Sequence, residues 1–123
     1  MPEKDSAARE KTSELVDPED QKLVTLARSA RARTRSDEGA AVRDTDGRTY
    51  AASTIELPSL KLTAMQAAVA AAVSSGAEGL EAALVVSGEP LLREACVAVV
   101  RDLGPVARIY LADTSGAVRE ALL

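Results

Sequence analysis

The chain has 123 residues, a net charge of −4, 46% hydrophobic residues, one cysteine, no histidine, and Tyr50 and Tyr110 as its only aromatics. That length suits one domain with one core, and the acidic balance without aromatic platforms argues against a dedicated nucleic-acid binder. A single cysteine excludes an intramolecular disulfide and fits a reducing compartment, so the expectation is a soluble cytoplasmic protein.

Met1 to Val16 is charged, rich in Ala, Ser and Lys, and has no signal-peptide core. It reads as a disordered tail ahead of one domain over residues 17–123. Asp17-Pro18-Glu19-Asp20 is a helix start, with Asp as N-cap, Pro at the first helical position and acids in the first turn. Leu23, Leu26, Ala27 and Ala30 then share a face, and the helix should run to about Arg33. The other face carries Lys22, Arg28, Arg31 and Arg35. These residues fit either an anionic partner or a solvated face that complements the helix dipole.

Asp44-Thr45-Asp46-Gly47 separates Gly39–Arg43 from Arg48–Thr54 and predicts a hairpin. A strand over Tyr50–Ile55, a loop over Glu56–Leu62 and a helix opening at Thr63 follow, with Thr63 and Gln66 as a capping box. Ala64 to Ser75 is nearly all Ala and Val, which predicts a helix buried on the sheet and ended by Gly76. Its apolar run, Ala64 to Val73, is too short to span a bilayer, so no membrane is expected. Leu84-Val85-Val86, stopped by Ser87-Gly88, reads as a doubly buried strand.

Pro90 marks the start of a third helix whose apolar face is Leu92, Cys96, Val99 and Val100, ended by Gly104-Pro105. Val106, Ile109 and Leu111 mark another strand. Ser115-Gly116 is a turn, and Ala117–Leu123 is either a short amphipathic helix or a last strand. The order is α-β-β-α-β-α-β with a terminal α, which predicts a mixed sheet covered by helices.

Chemistry in such a domain tends to sit where a strand feeds a helix start, because free backbone N–H groups and the positive dipole end gather there. Tyr50–Ala68 is that stretch. Its first helical turn is Ala64, Met65, Gln66 and Ala67, none of which is a good zinc ligand, acid, base or nucleophile.

From Asp17 onward the chain resembles the cytidine deaminase family. The matching residues are Gly39-Ala40-Ala41-Val42, Asp46-Gly47-Arg48-Thr49-Tyr50, Thr54-Ile55-Glu56, Ser59, Leu62-Thr63, Ala68 and Pro90. The resemblance implies a three-layer α-β-α fold with a mixed sheet of four to five strands. It also implies dimers or tetramers built through the central helices. In the family a His or Cys and two cysteines of a P-C-x-x-C segment hold zinc, and a Glu shuttles the proton. At those positions this chain has Met65 for the first ligand, Ala67 for the Glu, and Leu91 and Glu94 for the two cysteines. Zinc is therefore expected to be absent, with Met65 and Leu91 filling its place. Cys96 reads as a small buried hydrophobe, and a rescued metal site would need Glu94, Cys96 and Glu56 to converge. The family's N-x-E segment holds ribose hydroxyls; here Glu56 matches and Thr54 departs, which leaves a possible nucleoside site.

The expectation is a catalytically inactive, zinc-free member acting as a binding or assembly module and forming a homo-oligomer. One alternative is a divergent nucleoside deaminase, or another hydrolase using Glu56, Glu94 or Asp113. Another is an RNA- or ribosome-associated adaptor using the Arg-rich first helix.

Overall fold

The computed structural model describes residues 17–123, together with the backbone of residues 9–10. The elements are β1 (Arg9–Glu10), α1 (Pro18–Thr34), β2 (Gly39–Asp44), β3 (Thr49–Ser53), β4 (Ile55–Leu57), β5 (Leu60–Leu62), α2 (Ala64–Ser74), β6 (Leu80–Val86), α3 (Glu94–Leu103), β7 (Arg108–Ala112) and β8 (Val118–Leu122). The main sheet runs β1-β8-β7-β6-β2-β3. Among the described residues only β6 and β7 pair in parallel, and α3 makes the crossover that parallel pairing requires. Most of the expected tail over residues 1–16 lies outside the described residues; Arg9–Glu10 pairs antiparallel with β8 at the sheet edge.

Two apolar clusters flank the sheet. Leu23 and Ala27 of α1 pack with Ala41, Leu84, Val86, Tyr110 and Ala121 on one face. Met65, Ala68 and Val69 of α2 and Cys96 and Val100 of α3 pack with Val42, Val85, Ile109 and Leu111 on the other. Successive residues of β6 alternate between the clusters, so Leu84 faces one and Val85 the other. This is the expected three-layer α-β-α arrangement with a mixed sheet.

The helix signals hold in detail. Asp17 caps α1 by accepting from the Glu19 N–H at 2.8 Å. Thr63 and Gln66 exchange bonds of 3.1 and 2.9 Å at the start of α2. Gly39 lets α1 lie close on β2, because a Cβ there would stand 2.1 Å from the Ala27 carbonyl oxygen.

Three expectations are corrected. The loop over Glu56–Leu62 is the hairpin β4–β5, turning at Pro58-Ser59. Its apolar tips Leu57 and Leu60 are exposed, so no core pattern marks it. The third helix starts at Glu94, not near Pro90, and Arg93 makes no side-chain cap bond. Val106 lies outside β7 and is 89% exposed. The terminal element, given as α in the expected order and otherwise open between helix and strand, is the strand β8, whose Val118 and Ala121 pack into the sheet's apolar face.

Candidate functional site

An open cleft of about 640 Å³ lies beyond the carboxyl end of β6. Such positions attract ligands because strand ends, loops and helix termini meet there. Ser87, Gly88 and Glu89 follow β6, Thr54 and Glu56 come from the β3–β4 junction, and Thr63 and Gln66 open α2. Arg31, Glu38, Lys61, Arg93 and Thr114 complete much of the wall.

Buried carboxylates organise the cleft floor. Glu38 is 5% exposed and accepts from the Ser87 hydroxyl at 2.8 Å and from the Arg93 guanidinium. The Ser87 hydroxyl oxygen in turn accepts from the Glu89 N–H at 3.0 Å. Glu120, on β8, accepts from the Leu92 N–H at 2.8 Å. These bonds pin the segment between β6 and α3 to β8 and to the start of β2. None of Glu38, Ser87, Arg93 or Glu120 stood out in the sequence. Their partners lie 28 to 55 residues apart, so only the fold brings them together.

Thr54 and Glu56 both line the cleft. The Thr54 hydroxyl oxygen is buried without a hydrogen-bond partner. The Glu56 side chain is exposed and has no partner among the described residues. The Thr54 oxygen is closed to solvent, so of the two it is the exposed Glu56 carboxylate that can reach a polyhydroxylated ligand in the cleft, accepting from its hydroxyls.

The four positions matched to the zinc machinery do not form one cluster. Met65 is fully buried and Ala67 is 6% exposed, both in the α2 core. Leu91 is 49% exposed and Glu94 is exposed. The expectation that Met65 and Leu91 together plug the site is therefore corrected. The Glu120 tether accompanies an inward Leu92, 8% exposed, while its neighbour Leu91 faces out. Cys96 is buried with its Sγ 3.8 Å from the Thr63 hydroxyl, and burial pushes its thiol above the ordinary value, with the Thr63 contact offsetting part. Among the described residues no three of His, Cys, Asp and Glu are grouped to hold a metal ion, so Glu94, Cys96 and Glu56 do not converge. Asp113 sits in a turn, where Ser115, the Ala117 N–H and Arg119 hold its carboxyl below the usual range.

A second polar cluster stands at the opposite end of the sheet. Asp20 is fully buried and accepts from Tyr110 at 2.6 Å, Arg43 at 2.8 Å and Arg108 at 2.9 Å. Burial raises its carboxyl, but the bonds from Arg108, Tyr110 and Arg43 outweigh it and hold the value below 3.8. Tyr110, buried against that carboxylate, is pushed up to about 12. The cluster reads as a clamp between α1, β2 and β7.

A model of the cytidine deaminase-like family matches residues 16–116. A cytidine deaminase from Burkholderia pseudomallei is similar at 27% identity and a TM-score of 0.69, over 80% of this chain and 88% of that one. A cytidine deaminase from Mycobacterium tuberculosis is similar at 26% identity and a TM-score of 0.65, over 84% and 90%. The cytidine deaminase from Mycobacterium leprae, at 24% identity and a TM-score of 0.63, shares the fold. No curated protein matches the chain. No helix among the described residues is long and apolar enough to cross a membrane.

Proposed function

Because the chain belongs to the cytidine deaminase-like family, we propose that it is a zinc-free, catalytically inactive member that binds a nucleoside-type ligand in the cleft and assembles with copies of itself in the cytoplasm. The observation that carries the inactive part is Met65. A fully buried thioether among apolar neighbours stands where the resemblance puts the first metal ligand. Zinc favours thiolate, imidazole or carboxylate, and an exposed Glu94 beside Leu91 supplies one weak donor at most. The residues at these positions do not fit the ion. Ala67 can neither accept nor donate the proton that the family's Glu carries.

Ligand binding rests on the exposed Glu56 carboxylate in the cleft wall, which has no partner among the described residues. Ribose hydroxyls can donate to that carboxylate. Self-assembly rests on the apolar groove between α2 and α3, lined by Leu62, Val69, Val73, Val99 and Leu103, with Val73 54% exposed. Light scattering of the purified chain should give a dimer or tetramer; a monomer at all concentrations removes this part.

The rival is a divergent deaminase, favoured by the cleft being open rather than plugged. Metal analysis and ammonia release from cytidine separate the two. The expected result is substoichiometric zinc and no ammonia; stoichiometric zinc with turnover refutes the inactive reading. Met65→Cys combined with Ala67→Glu should also give no turnover, since Leu91 and Glu94 still supply no thiolate.

A further inference from the structure

A second cavity of about 360 Å³ adjoins the cleft and shares Arg31 and Thr114 with it. Its wall carries Arg28, and Val24 and Val86 contribute apolar lining. We propose that Arg28, Arg31 and Thr114 form a phosphoryl-binding subsite, so that the ligand of the cleft is a nucleotide and not a free nucleoside. The proposal deepens the nucleoside reading above and rests on it for the ligand's other half.

The case starts from unspent charge. Arg28 is exposed and makes no hydrogen bond or ion pair with another described residue. Among the described residues Arg31 donates only its Nε, to the Asp37 carbonyl oxygen at 3.2 Å, and neither terminal nitrogen has a partner there. Residues three apart on a helix are neighbours, so both guanidinium groups reach the same space. Planar guanidinium forks match phosphate oxygens, and the Thr114 hydroxyl adds a donor from the β7–β8 turn. The apolar side of the cavity keeps water from part of the phosphate, which strengthens the attraction.

Dipole complementarity explains Arg28 poorly. That effect fades beyond the last helical turn, which in α1 is served by Arg31 and Arg33; Arg28 lies a turn earlier. Arg31 lines both cavities, which makes the second continuous with the cleft where Glu56 offers a sugar an acceptor.

Calorimetry at low ionic strength with cytidine, cytidine monophosphate and inorganic phosphate tests this on the full chain. The monophosphate should bind about tenfold more tightly than cytidine or better, the size expected of charge-assisted bonds. Arg28→Ala should bring it down to the affinity of cytidine. Equal affinities in the native chain overturn the subsite and leave nucleoside binding intact. A gap that persists in Arg28→Ala overturns it too. Amide shifts at Arg28 and Thr114 with inorganic phosphate, while cytidine is inert, keep the subsite and remove the nucleoside reading. Binding of a single-stranded RNA with the monophosphate inert overturns the proposal in favour of a polymer track.

Discussion

Thr54 carries a direct consequence at the scale of single residues. Its hydroxyl is buried and unpaired, so Thr54→Val should leave stability unchanged or raise it by about 1 kcal/mol, because an apolar group of the same shape lifts the desolvation cost. Thermal melting reads that change, while Glu56→Gln should weaken nucleoside binding in calorimetry, since Glu56 is the group exposed to the cleft. A loss of stability would mean that the hydroxyl has a partner such as an ordered water. Asp20 gives the opposite case. Asp20→Asn strips a buried charge from between Arg43 and Arg108 and should cost about 3 kcal/mol in denaturant unfolding. The contrast shows how differently two buried polar residues read in sequence. Thr54 was picked out because a motif surrounds it, whereas Asp20 looked like a helix-start acid and nothing more. Its burial depends on Arg108 and Tyr110, some 90 residues away, which no local pattern announces.

At the scale of elements, the close approach of α1 to β2 rests on Gly39. Gly39→Ala puts a Cβ 2.1 Å from the Ala27 carbonyl and 2.8 Å from the Arg31 Cβ, so the helix must shift outward. A cost of about 2–3 kcal/mol is expected in chemical unfolding. Wild-type stability in this variant would show that α1 rides freely on the sheet. Helices α1 and α2 were legible because capping residues and apolar spacing agree at both. Strand β6 was legible only at its end, Leu84–Val86, because Glu81 interrupts the apolar run, at the irregularity where the β2 register passes from Ala82 to Leu80. The β4–β5 hairpin escaped because its side chains face solvent, so period-2 alternation had nothing to register against. The late start of α3 escaped because Pro90 fits a helix opening, while Glu120, 28 residues away from Leu92, holds the intervening chain in another shape.

At the scale of the molecule, stability is built from small side chains over a clamp of charges. Alanines fill much of both apolar layers, and each buries little area. The Asp20 cluster at one end of the sheet and the Glu38 and Glu120 carboxylates at the other tie the layers together. Asp20 titrates below its ordinary 3.8, so its contribution is complete above that value and fades as pH falls through the lower folded one. Thermal melts should therefore be flat from pH 7 to about 5 and decline below about 4, and Asp20→Asn should flatten the decline. An unaltered acid profile in the variant would assign the loss to other carboxylates. The tether between Glu120 and Leu92 bears on any attempt at retrofitting. Placing cysteine at positions 91 and 94 would hang both sulfurs on the outer surface, as Leu91 and Glu94 hang now. Rebuilding a deaminase from this scaffold thus demands that the segment be unhooked from β8 and rotated before any new side chain can reach inward.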